Sequence, residues 1–454
     1  MVSTSTAFLI ENGSWCLLTD IVPSSKVDTL RLKNDLLKIG KKLRNSLGLR
    51  FDPFDFRTGV SGIEVSVSGI AGTISTGDTV LEIAPKFVPQ GMISADWDAS
   101  LLLLMQYAKK RHIAYNRSKY LSASRHNFVD LMAIAFLDSV EAGLSDQMIH
   151  TYQTREERLP IMRGRLNLQR QIKSVFVRPH LLECDVNQLD AVNPFNGLLK
   201  WAAQALTASV RSSSIRRRVS DISQLFPGRP DRSIAMRGMQ VNPPPQFRTW
   251  TGALEIASML SAGLSHTASR GSQNGYSFVF NMEKLFEHFV QCSLQRAVSR
   301  VEKLKLTVNA QVQTAYAMPT SDGKVVFYSK PDNVVKNVDK AVAIVDAKYK
   351  RLSDQSGAKN KKPVNQDVYE LVAAMTAQRC RVGLLVYPKV HGDAELSDGD
   401  LQVWTVDAFG TTLHVGAVAI DLVGLHSLND LQKVDQKLAS VLQDILSQAE
   451  VSQS

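Results

Sequence analysis

The chain has 454 residues and a formal net charge of +10, from 53 Lys+Arg against 43 Asp+Glu. Hydrophobic residues make up 44% and charged residues 21%, which excludes a disordered or collagenous chain and allows about three domains at roughly 150 residues each. Cys16, Cys184, Cys292 and Cys380 lie far apart with no CxxC pair, which argues against a zinc ribbon, a redox dithiol and a disulfide scaffold.

The first hundred residues read as strands and turns. Ile63, Val65 and Val67 alternate with polar residues, a period of two, and Gly69, Gly72 and Gly77 punctuate the next stretch. This pattern suggests a small barrel or sandwich. Gly69 to Gly72 lacks the Gly-Lys-Ser/Thr ending of a phosphate-binding loop, and no such loop occurs elsewhere. The chain is therefore not expected to be its own nucleotide-driven motor. The N-terminus lacks a basic segment followed by an apolar one, and no apolar run approaches about 18 residues. The expectation is a cytoplasmic protein with no membrane partner.

From Leu101 the texture turns helical, with apolar runs at Leu101–Met105 and Leu131–Val140 and a helix start at Asn193-Pro194. A proline-rich break at 226–245 and a Ser/Gly-rich stretch at 265–277 close this region. The last third reads as one α/β unit. A helix over 281–298 precedes strands near 306–314, 325–329 and 341–347. A helix over 366–377, strands near 382–387, 401–406 and 413–422, and a final helix complete it. The expected domains are 1–98, β-rich; 99–270, mainly helical; and 271–454, α/β. The fold class is thus multidomain α+β.

The stretch richest in chemistry is Lys330-Pro331-Asp332 followed by Val345-Asp346-Ala347-Lys348. The polar link 336–340 reads as a hairpin turn, which would bring Asp332 beside Asp346. Side chains alternate along a strand, so Asp346 and Lys348 share a side. Two crowded carboxylates attract a proton or a divalent cation, and hard oxygen ligands suit Mg²⁺. With a lysine added, the arrangement fits hydrolysis of a nucleic-acid backbone. The bland alternative is a turn aspartate and a solvated lysine. Glu287 lies between Phe286 and Val290 on a helix, where a carboxylate is costly unless paired or metal-bound. His288 reads as a surface residue. The histidines show no HxH or HExxH spacing, which disfavours a zinc hydrolase. The basic runs Lys109–Arg111, Arg216–Arg218 and Lys359–Lys362 are candidates for phosphate contacts or simply solvated faces.

The last third resembles the PD-(D/E)xK nucleases, and the chain from about residue 60 to 425 resembles the McrC family. The matching stretches are Gly72-Thr-Ile-Ser through Ile83-Ala-Pro85-Lys86, Tyr152, Arg163-Gly164-Arg165-Leu166 and Asp190 to Lys200. They continue at Met282 to Val290, Pro331-Asp332, Val345 to Lys350, and Leu384 to Pro388.

The resemblance implies a C-terminal restriction-endonuclease-like core. In it Asp332, Asp346, Glu287 and the Ala347 carbonyl would serve a Mg²⁺ ion (or Mn²⁺), with Lys348 as the catalytic lysine. Where the family has Tyr-Gln in the following helix, this chain has Tyr369-Glu370, and Gln366 lies one turn earlier; both Gln366 and Glu370 stay unassigned. The resemblance further implies a McrB-like AAA+ GTPase partner and modified double-stranded DNA as substrate. Because nothing in the N-terminal region resembles a metal ligand set, that region is expected to dock to the GTPase clear of the active site. The rival readings are a non-cleaving activator subunit and a stand-alone repair nuclease.

Overall fold

The computed structural model describes residues 5–21, 29–76, 79–88, 97–108, 128–229, 231–240, 243–265, 277–300, 305–317, 327–352, 362–390, 400–408, 410–423, 425 and 427–451. Packing divides the chain into two units. One comprises 1–112, 124–128 and 265–454, and the other 113–123 and 129–264. The N-terminal strands thus share a unit with the C-terminal α/β region.

In the first unit, β1 (Ser5–Ile10) leads to α1 (Thr29–Leu47), then β2 (Phe54–Gly59), β3 (Gly62–Val67), β4 (Ile70–Thr76) and β5 (Thr79–Ala84). The helix α1 departs from the strands-and-turns reading of this segment. Leu32, Leu36, Ile39, Gly40 and Leu43 are its buried residues, spaced three and four apart, so it has one apolar face. Gly48, at φ 63°, sits just past its end, where a left-handed residue is cheapest as glycine.

In a five-stranded sheet, β1 pairs parallel to β5, β5 antiparallel to β4, and β4 antiparallel to β6 (Ser277–Asn281). The last pairing joins segments about 200 residues apart. Gly72 makes it possible. At φ 130° it brings the backbones so close that a Cβ there would stand 2.1 Å from the Phe278 carbonyl oxygen.

The chain continues as α2 (Met282–Arg300), β7 (Leu306–Ala310), β8 (Asn333–Asn337), β9 (Lys340–Ala347), α3 (Asn365–Ala377), β10 (Val382–Pro388), β11 (Gln402–Ala408), β12 (Thr411–Ile420) and α4 (Leu428–Val451). The sheet order is β7-β8-β9-β10-β12-β11. The β9–β10 and β10–β12 pairs are parallel and the rest antiparallel.

Every residue of β10 is buried, as befits a central strand flanked by parallel neighbours. Gly383 of β10 lies against Met375 and Leu371 of α3, while Gly416 of β12 lies against Ile445 of α4. The missing side chains let both helices approach the sheet. On α4, Leu431, Val434, Leu438, Val441 and Ile445 are buried, so this seam packs inside its own unit. A two-stranded ribbon, Thr314–Ala317 with Phe327–Ser329, precedes the hairpin.

The second unit contains the helices expected of the middle region, among them Pro194–Ser209, Ser213–Leu225, Arg232–Gln240 and Thr251–Gly263. Asn193 caps the first, accepting from the Asn196 N–H at 3.0 Å, with Pro194 in its first turn. The unit also holds a three-stranded antiparallel sheet, with Leu182–Asp190 between Thr151–Leu159 and Arg165–Leu166. The outer strand Thr151–Leu159 is mostly exposed and charged, and the apolar alternation of the central strand is short, at Leu182, Cys184 and Val186. Among the described residues, no helix is long and apolar enough to cross a membrane.

Candidate active site

The β8–β9 hairpin builds the site. Asn337 pairs with Lys340, leaving Val338-Asp339 as the turn, and Asn333 pairs with Val345. Val342 is an extra residue in the ladder, a bulge between Val335↔Ala343 and Lys336↔Ala341. One step beyond Asn333↔Val345, Asp332 stands opposite Asp346. The Ala347 N–H donates to Asp332 Oδ2 at 2.9 Å. Lys348 Nζ lies 2.8 Å from Asp346 Oδ2, on the shared side that strand alternation requires.

The helix α3 supplies the next shell. Lys348 Nζ also donates to Glu370 Oε2 at 2.7 Å, and Gln366 Nε2 donates to Glu370 Oε1 at 3.0 Å. The two residues left unassigned by the sequence therefore act in series: Glu370 reaches the lysine, and Gln366 reaches Glu370. Behind them Lys350 pairs with Asp367 at 2.6 Å, and the Tyr387 hydroxyl donates to the other Asp367 oxygen at 2.8 Å.

Asp332, Asp346, Lys348, Lys350, Gln366, Asp367 and Glu370 line a cleft of ≈ 470 Å³ that also takes in Glu287, Arg50, Tyr328 and Lys330. Arg50 comes from the N-terminal region, so that region is not clear of the site as the sequence reading expects. Its guanidinium stands 3.3 Å from Glu283 on α2. Glu287 lines the cleft from α2, one residue from the buried Phe286. His288 is exposed, in line with its reading as a surface residue.

The electrostatics are those of crowded carboxylates. Burial, and then the Asp346 charge, pushes Asp332 up to about 8 despite the Ala347 N–H. Burial also raises Glu287, helped by the charges of Glu283 and Asp346. Burial opposes the charge on Lys348, but Asp346 and Glu370 outweigh it and hold the ammonium above its ordinary range. Glu370 is lowered: its burial is outweighed by the hydrogen bond and charge of Lys348.

The donor chemistry fits a hard divalent cation. Mg²⁺ needs only one or two carboxylates, with waters completing its shell, and a cation between Asp332 and Asp346 would relieve the repulsion that raises Asp332. Among the described residues, no three His, Cys, Asp or Glu side chains converge into a ready-made ligand set. The site as built is thus a two-carboxylate site, with Lys348 resting on Asp346.

Sequence reasoning missed Arg50, Lys350, Asp367 and Tyr387. Asp367 had a signal: it lies four residues before Leu371 and seven before Ala374 on the buried face of α3, a carboxylate in an apolar stripe. Arg50 had none, because nothing local ties residue 50 to residue 332. Of the basic runs, Arg216 caps the Val210 carbonyl and Arg218 pairs with Glu141 at 2.6 Å, so two of those three charges serve structure. Lys109–Arg111 and 359–361 lie outside the described residues.

A mixed α/β sheet whose central hairpin presses two carboxylates and a lysine into one cleft places the protein among those with an acid–lysine site at a strand end. Its family is the one described as McrBC 5-methylcytosine restriction system component: residues 65–388 match it, and the chain belongs to it. No curated protein matches the chain significantly.

Among solved structures, the chain is similar to one from a half-complex of the tetradecameric assembly of Thermococcus gammatolerans McrB AAA+ hexamers with bound McrC. The TM-score is 0.65 at 18% identity, covering 97% of this chain and 100% of that one. A second, from the cryo-EM structure of the Thermococcus gammatolerans McrBC complex, aligns with TM-score 0.47 at 17% identity, covering 65% of this chain and 88% of that one. The first likeness supports a shared fold.

Proposed function

We propose that the chain is the nuclease subunit of a McrBC-like restriction complex, a PD-(D/E)xK-type metal-dependent endodeoxyribonuclease. It would hydrolyse phosphodiesters of modified double-stranded DNA when coupled to a McrB-like AAA+ GTPase, and stimulate that GTPase. The observation that carries the reading is the convergence of Asp332, Asp346 and Lys348 in one cleft. Family membership and the likeness to a McrB–McrC assembly support it.

In this reading Asp332, Asp346 and the Ala347 carbonyl would hold Mg²⁺ or Mn²⁺, with Glu287 serving the same ion from α2. A bound cation would supply an activated water and charge neutralisation at the phosphorus centre. Lys348, held between Asp346 and Glu370, presents an ammonium where negative charge grows on the phosphate oxygens. Glu370 orients that ammonium, and Gln366 orients Glu370. Arg50 and Lys330 give the cleft cations for flanking phosphates, an interaction that weakens as salt rises. Lys330 has no partner among the described residues.

Cleavage is expected to depend on assembly. The sequence has no nucleotide-binding loop, and basic side chains contacting phosphates would bind DNA without reading its sequence. The GTPase would raise the effective concentration of DNA at the cleft. The test is a plasmid digest with Mg²⁺ in which this chain, its GTPase partner, GTP and cytosine methylation are each omitted in turn. Cleavage only in the complete mixture supports the reading. Efficient cutting of unmodified DNA by this chain alone would favour the stand-alone nuclease, and GTPase stimulation without cleavage the activator.

A further inference from the structure

The Ile83-Ala-Pro85-Lys86 stretch matches the McrC family without a role in the cleft, and Glu11 is a carboxylate only 1% exposed. Both meet at Tyr349, the residue after Lys348. The parallel register Ile10↔Ala84 brings Glu11 and Lys86 to the same end of β1 and β5. Glu11 Oε2 accepts from the Tyr349 hydroxyl at 2.7 Å and from the Lys86 N–H at 3.3 Å, and Oε1 accepts from the Gly69 N–H at 2.9 Å. The Lys86 ammonium donates to the Tyr349 carbonyl and lies 3.7 Å from the centre of its ring. The ring also meets Phe286, beside Glu287, at 5.7 Å.

This contact falls where the sheet stops. The β9 strand ends at Ala347, and the Lys348 N–H, donating to the Val386 carbonyl at 2.8 Å, is the last link to β10. Beyond that point the chain has no ladder, and strand ends without one open most readily. Lys348 and Lys350 turn toward α3, where they pair with Glu370 and Asp367. Tyr349 turns the opposite way, into the N-terminal strands. An apolar cluster could fill the same volume without the cost of burying a carboxylate and an ammonium. Directional bonds add a fixed register that such a cluster lacks.

We propose that Glu11, Lys86 and Tyr349 form a buried brace through which the N-terminal strands hold the Lys348 strand end in place, making them positioning residues for the cleft. The catalytic half of this inference rests on the nuclease reading; the structural half does not. The key variant is Tyr349→Phe in the full chain, which keeps the ring against Phe286 and under Lys86 and removes only the bond to Glu11. Glu11→Gln tests the other end. Should Glu11→Gln fail to fold, Glu11→Gln with Lys86→Met removes both buried charges together.

Two measurements separate the claims. Amide hydrogen exchange on the chain alone should be about tenfold faster over 346–352 in Tyr349→Phe, with 382–388 unchanged. Equal exchange over 346–352 overturns the brace. With the complete complex on methylated plasmid, kcat should fall about tenfold at unchanged KM. The Glu11→Gln/Tyr349→Phe pair should be no worse than the stronger single change, because both act on the same Glu11–Tyr349 contact. Unchanged kcat, or fully additive losses, overturns the positioning role. If exchange rises as expected while the wild-type complex does not cut, the brace stands and the nuclease reading falls.

Discussion

Lys348 is the residue on which the cleft turns, since it bridges the β9 carboxylate Asp346 and the α3 carboxylate Glu370. Lys348→Ala is expected to lower cleavage by about 10²–10³-fold, the scale of losing one charge-stabilising group, with an unchanged circular-dichroism spectrum. Glu370→Ala should cost less, about tenfold, because Asp346 still holds the ammonium. Strong cutting by the Lys348→Ala complex in Mg²⁺ would remove the lysine from the mechanism.

A second residue-scale expectation concerns stability alone. Val338 occupies the hairpin turn at φ 55° and is 71% exposed. A β-branched side chain is strained there, whereas asparagine tolerates the left-handed region. Val338→Asn should therefore stabilise the chain by about 1 kcal/mol, read as a higher urea midpoint at unchanged slope.

At the scale of elements, the hairpin was legible because its turn, its apolar strands and its acidic end are all local. The helix α1 was not. It is set in a region otherwise made mostly of strands, and its polar face, rich in Lys and Arg, masked a stripe that only helical spacing reveals. The three-stranded sheet of the second unit was illegible for another reason. Its outer strand Thr151–Leu159 is mostly exposed and charged, held by cross-strand pairs such as Arg158–Glu183 at 2.7 Å, and the apolar alternation of the central strand is confined to Leu182, Cys184 and Val186. Asp332, Asp346 and Lys348 could be found from sequence; Arg50, Glu11 and Lys86 could not be tied to them, because their link is a fold closure across some 300 residues.

That closure makes a further element testable. Gly72→Ala would place a Cβ against the Phe278 carbonyl at an unfavourable φ, and backbone cannot move aside as a flexible side chain can. A loss of about 3 kcal/mol or more is expected, seen as a lower melting temperature. A neutral Gly72→Ala variant would show that β4 and β6 are not so close.

At the scale of the whole molecule, residues 1–98 cannot be cut away cleanly. Deletion would strip β6 of its partner β4 and Tyr349 of Glu11 and Lys86, so the truncated chain is expected to be insoluble rather than a folded, uncoupled nuclease. The GTPase-docking role expected of this region is better tested by surface substitutions.

The thiols report on the integrity of the whole. Cys184, Cys292 and Cys380 are buried and Cys16 is partly exposed. Burial pushes the Cys380 thiol up to about 11, which leaves roughly 0.1% thiolate at pH 8. The native chain should react with a thiol reagent at Cys16 alone, and the denatured chain at all four cysteines. Rapid labelling of Cys380 in the native protein would contradict the packing of α3 on the sheet.

The pairing of β4 with β6 also sets a timetable for synthesis. When β4 leaves the ribosome, its partner is still about 200 residues from being made. At about 5–20 residues per second, that is a wait of roughly 10–40 s. Throughout it the nascent chain presents an unpaired strand edge, the surface from which aggregation starts. The second unit, encoded in the interval, can fold on its own schedule, while the cleft must wait for Tyr349 to reach Glu11. A message truncated within the interval would yield a product with an open edge and no cutting site. Recombinant yield should therefore improve with slower translation at low temperature or with added chaperone, more than for a protein whose neighbouring strands are consecutive.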